Sequence, residues 1–400
     1  MSKLDDLIKE RCPNGVKYAE LGKVCEITKG RGLSKSDKGT GDIPIILYGE
    51  LYTIYGNYID EVVSSASEIA KNSLLIAKND LLLPVSSTTK EAQIGKASVY
   101  RLEDECYLGG DAIRLRHKQN PGFLMYVINS TAFEKQKMKC VSGTTISHLN
   151  PGKLSKIKVP IPPLEVQNEI VQILDNFAEL TAELTAELSN RKKQYEYYRD
   201  LLLNFNENEQ REREREVRWA SIEDICEISR GFIMSKDFIR DNAGEYPVYS
   251  SQTENNGMLG RINTYKYDGD YLTWTTDGAN AGTVFRRSGK FSVTNVCGLL
   301  KVKDSTVSND YLYYILSNTA KNYVNSGMGN PKLMSNAMAR IKVPIPDNEE
   351  QQRIVGVLDR FDKLTSDISE GLPAEIEARE KQYAYYRDKL LSFKELVPNA

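Results

Sequence analysis

The segment IKVPIPPLEVQNEIVQILDNFAELT, starting at Ile157, returns as IKVPIPDNEEQQRIVGVLDRFDKLT from Ile341. A repeat of this kind constrains a fold more than any local propensity, because one scaffold must be built twice. Further on, KQYEYYRDLLLNF (residues 193–205) is matched by KQYAYYRDKLLSF (residues 381–393), with four extra residues in the second copy. A fainter echo links VKYAELGKVCEITKG (residues 16–30) to VRWASIEDICEISRG (residues 217–231), pairing Cys25 with Cys226 and Gly30 with Gly231. Residues 31–156 and 232–340 have little in common. The layout is variable segment, shared helix, variable segment, shared helix: a duplicated scaffold carrying two different readers.

The shared segments have helical spacing. Ile170, Leu174, Phe177, Thr181, Leu184, Leu188, Arg191, Tyr195, Tyr198, Leu202 and Phe205 step by fours and threes, a heptad seam interrupted by Thr181 and Arg191. Pro162-Pro163 can open this helix, and Pro346-Asp347-Asn348 supplies caps for the second. The second seam runs from Ile354 to Phe393 and stutters at Ile368-Leu372-Ile376. Gly371 and Pro373 stand there, so a kink or break is expected. Helices of ~40 residues would span about 60 Å and would pack antiparallel. The variable segments read as mixed α/β with many short strands, such as YPVYSS, YLTWTT and TVFRR, with a helix near each end (residues 123–139 and 310–325). The Arg/Glu run at 211–216 reads as a solvated linker.

At 400 residues the chain suits two cores. The opening MSKLDDLIKE has acids where an export signal needs an apolar stretch, and no apolar run approaches membrane-spanning length, so a cytoplasmic location and no membrane partner are expected. Six scattered cysteines without a C-x-x-C pair, and two isolated histidines, argue against a disulfide framework or a metal site. The formal charge of −2 hides a Lys/Arg excess in residues 1–160 and an acidic excess in 161–210, a segregation that lets a basic face meet phosphates.

The chain holds no P-loop, no dinucleotide fingerprint and no Asn/Asp-Pro-Pro-aromatic tetrapeptide; Ile161-Pro162-Pro163-Leu164 lacks the polar first and aromatic last residue. No catalytic residue is assigned. What remains is polar loop chemistry suited to phosphates and base edges. The candidates for DNA contact are Lys29, Arg31, Lys35, Ser87, Thr88, Lys90, Thr144, Thr145 and Ser147 in the first half. In the second half they are Ser251, Gln252, Thr275, Thr276, Arg286, Arg287, Asn330 and Lys332. On the helices, Tyr197 and Tyr385 fall off the seam and, with Arg199 and Arg387, are candidate partner contacts.

Two unlike segments alternating with two like helices resemble the specificity subunits of type I restriction–modification enzymes. The pieces that carry the resemblance are GTTISHLNPGKLSKIKVPIPPLEVQNEIVQIL, RIKVPIPDNEEQQRIVGVLD and the tandem LTAELTAEL with RKKQYEYYRDLLLNF, the last being similar to the C subclass. The second half departs from the pattern, with SGMGNPKLMSNAM where the first has SGTTISHLNPGKL. The resemblance implies an α+β chain of two mixed α/β target-recognition domains separated by two long antiparallel coiled-coil helices, with a pseudo-twofold repeat. Its parts would be residues 1–160 (first recognition domain), 161–210 (first spacer helix), 211–345 (second recognition domain) and 346–396 (second spacer helix). It further implies a non-catalytic reader of a split site in double-stranded DNA, joined by two modification subunits and by restriction subunits. S-adenosylmethionine, ATP and Mg would sit on those partners and no cofactor on this chain. The alternatives are the specificity subunit of a related two-subunit system, a methyltransferase fused to its own reader, and a coiled-coil adaptor. Missing cofactor motifs count against the second, and two large β-rich segments against the third.

Overall fold

The computed structural model describes residues 3–88, 93–143, 145–205, 217–327, 329–366 and 371–396. It divides into two compact units, Met1–Leu184 with Ile376–Ala400, and Thr185–Glu375. The units cut through the shared helices rather than between helix and recognition segment, so each unit owns a part of both repeats. The Arg/Glu run at 211–216 lies outside the described residues.

The two variable segments, unlike in sequence, share most strand pairings: four strands of the main sheet recur in the same order, and the first unit adds Tyr58–Ile59 at its edge. In the first unit one sheet runs in the order Cys25–Lys29, Ala112–His117, Leu81–Pro84, Ser98–Tyr100, Tyr58–Ile59. In the second unit the order is Cys226–Arg230, Cys297–Val302, Tyr271–Thr275, Val284–Arg287. A companion sheet of four strands also recurs. It is Ser64–Ala66, Ile43–Ile46, Cys106–Leu108, Leu74–Ile76 in one unit and Met258–Ile262, Ala243–Tyr249, Lys290–Val293, Tyr267–Asp268 in the other. Each companion sheet contains one parallel pair at its centre, with Ile46 beside Leu108 and Val248 beside Ser292.

Register shows how different letters fill one frame. Lys29 pairs with Ile113 and Ile113 with Leu83; at the equivalent place Arg230 pairs with Gly298 and Gly298 with Trp274. Two medium side chains are thus replaced by a fully buried indole and a glycine. A Cβ on Gly298 would stand 2.2 Å from the indole ring, so the glycine is the space the tryptophan occupies. The indole N–H donates to the Leu333 carbonyl at 2.9 Å, so its polar edge is not stranded.

The framework echoes are literal. Strand Lys17–Glu20 pairs antiparallel with Lys158–Ile161, and Arg218–Ser221 with Lys342–Ile345. One turn into each shared helix stands a glutamine with no exposure, Gln167 or Gln351. Each amide donates back to a proline carbonyl, Pro162 at 2.8 Å or Pro346 at 2.9 Å. Each accepts the backbone N–H of the residue that caps a recognition-domain helix, Asn120 (helix Pro121–Ile128) at 2.9 Å or Ser308 (helix Asn309–Thr319) at 2.8 Å. The cap then holds its own helix, since Asn120 Oδ1 accepts Phe123 N and Ser308 Oγ accepts Tyr311 N. A buried amide that satisfies several backbone groups joins reader to framework.

The first shared helix is continuous over 40 residues, Leu164–Leu203. The second is two helices of 19, Asn348–Ser366 and Leu372–Leu390, with residues 367–370 outside the described set. Gly371 and Pro373 flank the start of the later piece, where the stutter predicts a break. Asp347 caps the earlier one, its Oδ1 accepting Glu350 N at 2.8 Å. In the first unit Phe177 stacks on Tyr386 with centroids 5.4 Å apart, while Lys158 pairs with Glu395, so the two segments run antiparallel there. In the second unit the roles exchange, and Phe361 stacks on Tyr198 at 5.7 Å. The expected fold class is the one observed: mixed α/β readers, long helices and a twofold internal repeat. All six cysteines are free and buried, and no helix among the described residues is long and apolar enough to cross a membrane.

Candidate nucleic-acid interface

In the first unit three short strands meet in one loop cluster. Strand Ser147–Leu149 pairs with Ser86–Ser87 on one side and Val141–Ser142 on the other. Ser86 Oγ lies 2.9 Å from His148 Nδ1 and donates to Asp111 Oδ1 at 3.1 Å. Asp111, held at φ 59, stands 3.9 Å from Lys29 Nζ. Lys29 and Ser147 thus stand at one cluster through Asp111, Ser86 and Ser87, with Thr88 and Thr145 exposed beside their paired strands in the chain and Arg31 and Lys35 exposed on the segment that follows Lys29. Arg31 Nε donates to the Asn72 carbonyl at 3.2 Å, leaving the outer nitrogens of its fork to solvent. Lys90 and Thr144 lie outside the described residues.

The second unit builds the same corner from other letters. Lys332 forms bridges with Asp277 and Asn325 where His148 pairs with Ser86 and Ser142. Leu333 N donates to the Thr276 carbonyl at 3.0 Å, as Leu149 N does to Val85 at 2.8 Å. The divergent SGMGNPKLMSNAM stretch therefore occupies the same place as SGTTISHLNPGKL. Asp277 lies 3.7 Å from Arg230 and 3.6 Å from Lys332, and Asn330 is exposed beside it. Each unit places a carboxylate beside cations that are at least partly exposed: Asp111 beside Lys29, and Asp277 beside Arg230 and Lys332. Such pairs contribute about 1 kcal/mol or less.

Several expected contacts have other employment. Ser87, Thr275, Thr276 and Arg287 are at most 4% exposed. Thr276 Oγ1 accepts from Arg230 at 2.8 Å and donates to Asp277 at 2.5 Å. Thr275 Oγ1 bonds the Asn280 carbonyl and accepts Thr283 N at 3.0 Å. Ser251 Oγ bonds the Val296 carbonyl and accepts Thr276 N at 3.1 Å, and Gln252 Nε2 donates to Met258 O at 2.5 Å. These side chains shape the corner instead of presenting donors from it. Arg286 is a correction of a different kind. It points to the shared helix, 3.0 Å from Asp359 and 3.1 Å from Asp310, over the rings of Tyr313 and Tyr314. Successive residues of a strand face opposite ways, so Arg286 and Arg287 cannot share one surface.

Arg230 and His148 were missed. The signal for Arg230 is in the sequence: it is the partner of Lys29 in the fainter echo. His148 carries no such mark, because its neighbour Ser86 is remote in the chain.

On the helices Tyr197 is 65% exposed and Tyr385 62%. Each packs edge-on against the next tyrosine, at 5.4 Å and 72° or 75°. Arg199 and Arg387 pair with the following aspartates and lie 5.9 and 5.8 Å from the rings of Tyr195 and Tyr383. Arg387 also donates to Thr131 Oγ1 at 3.0 Å. The tyrosine–tyrosine and arginine–aspartate contacts recur, one set in each unit.

The sequence model described as the type I restriction modification DNA specificity domain matches twice, over residues 13–193 and 215–378. A putative type I specificity subunit of Mycoplasma pneumoniae, S.MpnORF615P, is 44% identical over 243 residues, which is 60% of this chain and 95% of that protein. The EcoR124I/EcoR124II specificity subunit of Escherichia coli is 37% identical over 267 residues, 60% of this chain and 64% of that one. In fold, the chain is similar to the S subunit of a type I restriction–modification system from M. genitalium, with TM-score 0.58, 15% identity and coverage of 94% of this chain and 96% of that one.

Proposed function

This chain belongs to the type I restriction modification DNA specificity family, and on that premise we propose that it is the DNA-reading subunit of such a system, each unit reading one half of a two-part site. The observation that carries the reading is the doubled corner: the same strand ends, in the same register, present different polar side chains in the two units. Identical placement with different chemistry is what two half-sites of unlike sequence require. Lys29, Arg31, Lys35, Thr88 and Thr145 in the first unit, and Arg230, Asn330 and Lys332 in the second, supply donors to phosphate and base edges.

The partners are double-stranded DNA, two modification subunits seated on the equivalent Tyr197/Arg199 and Tyr385/Arg387 surfaces, and restriction subunits. Methyl transfer and ATP-driven steps, with S-adenosylmethionine, ATP and Mg, belong to those partners. This chain, acting in the cytoplasm, contributes binding and placement and no bond-making step. The test replaces residues 232–340 with the corresponding segment of a relative and maps methylated sites in cells that also carry the modification partner. One half-site changes and the other persists; simultaneous loss of both overturns the reading.

A further inference from the structure

The second unit contains a strained turn that its counterpart lacks. Strand Ala243–Tyr249 connects to Met258–Ile262 through residues 250–257, and three consecutive residues there are left-handed: Asn255 (φ 49), Asn256 (φ 54) and Gly257 (φ 76). Glycine adopts this region freely and asparagine better than most side chains, but a run of three must be held by its surroundings. In the first unit the connection between Ile43–Ile46 and Ser64–Ala66 carries the short helix Glu50–Thr53 and no positive φ.

The holding group is Arg287. Its side chain is buried, its Nη2 donates to the Asn256 carbonyl at 2.9 Å, and its Nε donates to Thr273 Oγ1 at 3.1 Å. The guanidinium carbon stands 3.6 Å from the Tyr249 ring centroid, and among the described residues no carboxylate pairs with it. Burying a cation without a counter-ion is costly, and an ordinary surface turn calls for no such brace. Ser250 N donates to the Gly257 carbonyl at 3.0 Å, closing the turn. Asn280 Nδ2 donates to Thr253 Oγ1 at 3.1 Å, tying it to the corner that holds Asp277 and Lys332. What the brace presents is a pair of exposed amides, Asn255 and Asn256, neither with a side-chain partner among the described residues. Gln252 has the same chemistry, but its nitrogen is already spent on Met258.

We propose that the 250–257 turn is a preformed adenine reader of the second unit, with the amides of Asn255 and Asn256 as the reading groups and Arg287 as the positioning residue. An amide offers a donor and an acceptor side by side, the complement of the N7 acceptor and N6 donor that adenine shows in the major groove. A turn already fixed loses little freedom on binding, so more of the contact appears as discrimination. The inference rests on the reading of the chain as a DNA specificity subunit, and it assigns a base to one element of one unit.

The experiment uses the full chain assembled with its modification partner, and measures binding to duplexes in which each position of both half-sites is varied in turn. For Asn255→Ala with Asn256→Ala, preference for adenine at one or two positions of the second half-site falls roughly ten- to a hundredfold, while the first half-site and binding to unrelated DNA are unchanged. Arg287→Met loses preference at the same positions, and Arg287→Lys, which keeps the charge without the fork, restores part of it. A double-alanine complex with unaltered preference at every position overturns the adenine reader. Arg287→Met with a lower melting temperature but intact adenine preference overturns the role of Arg287. A wild-type complex that selects no second half-site at all would instead sink the proposed function, a result separable from the other two.

Discussion

In the first unit Lys29 leads through Gly30 into Arg31; in the second, Arg230 leads through Gly231 into Phe232 and Ile233, the latter 87% exposed. The cation before the glycine is kept in kind, the glycine is kept outright, and the chemistry after it changes from charged to apolar. A Cβ on Gly30 would stand 2.0 Å from the Gly109 carbonyl oxygen, and one on Gly231 1.9 Å from that of Val293. Close approach of two backbones fixes the glycine in both units, whereas the outward-facing residue after it is under no such constraint. The comparison teaches where the scaffold ends and the readers begin. It also yields the largest expected effect: Gly30→Ala and Gly231→Ala should each cost about 3 kcal/mol or more, since backbone has to move. Hydrogen exchange resolved by peptide should show only the mutated unit losing protection. Equal loss in both units would break the idea of two independent copies.

The division between units falls between Leu184 and Thr185, which is the junction of the two TAEL repeats, residues 181–184 and 185–188. Four more helical residues add about 6 Å and roughly 400° of rotation, a net turn near 40°. One base pair of B-DNA adds about 3.4 Å and roughly 35° of twist. The rotations nearly match, and tilt of the helix relative to the duplex can absorb the excess length. A third TAEL should therefore lengthen the unread spacer by about one base pair while both half-site sequences persist. Methylated-site maps for the two- and three-repeat proteins decide this. An unchanged spacer, or altered half-site letters, means the helix does not set the separation.

Gln167 and Gln351 sharpen the comparison at smaller scale. Gln167→Leu strands the Asn120 N–H and the Pro162 carbonyl, and Gln351→Leu strands the Ser308 N–H and the Pro346 carbonyl. Each loss should cost about 2–3 kcal/mol, because buried groups are left unpaired instead of exchanged for water. Denaturant titration of the two variants should give equal shifts. A twofold difference would mean that one unit finds substitute partners and the copies are not energetically alike.

The repeated framework was legible because its letters repeat: IKVPIP, the buried glutamine and the KQY helix ends stand in both halves. The shared topology of the two readers was not legible, because Leu83 with Ile113 and Trp274 with Gly298 fill one site in opposite proportions. A comparison of letters sees two mismatches where packing sees one conserved volume. The loops behaved similarly. Lys29 stands among basic neighbours, whereas Arg230 lacks them and is marked in the sequence only by its place opposite Lys29 in the fainter echo, which the strand register bears out. Arg286 and Arg287 stand side by side in the sequence as candidates, but their partners, Asp359 and Asn256, lie far away in the chain. Strand alternation separates the two arginines; only the fold says which faces what.

The comparison whose effect is smallest at neutral pH concerns thiols and serves to compare the units in solution. The paired Cys25 and Cys226, together with Cys106 and Cys297, have thiols that burial pushes up to about 12. An unfolded thiol titrates near 8.5, so between about pH 8.5 and 12 the unfolded chain has released protons that the folded chain retains. Folding stability is therefore fully present below pH 8 and falls as pH rises through that window. The slope is about 1.4 kcal/mol per pH unit for each such thiol. Each unit holds two of the four, so these thiols contribute equally to the loss in both. At neutral pH, alkylation of Cys25 and Cys226 requires opening of the surrounding unit, and the two rates report the two openings separately. Rates that change together when only Gly231 is replaced would show that the units open as one body. A rise confined to Cys226 and Cys297 would show that the duplicated scaffold is also duplicated in stability.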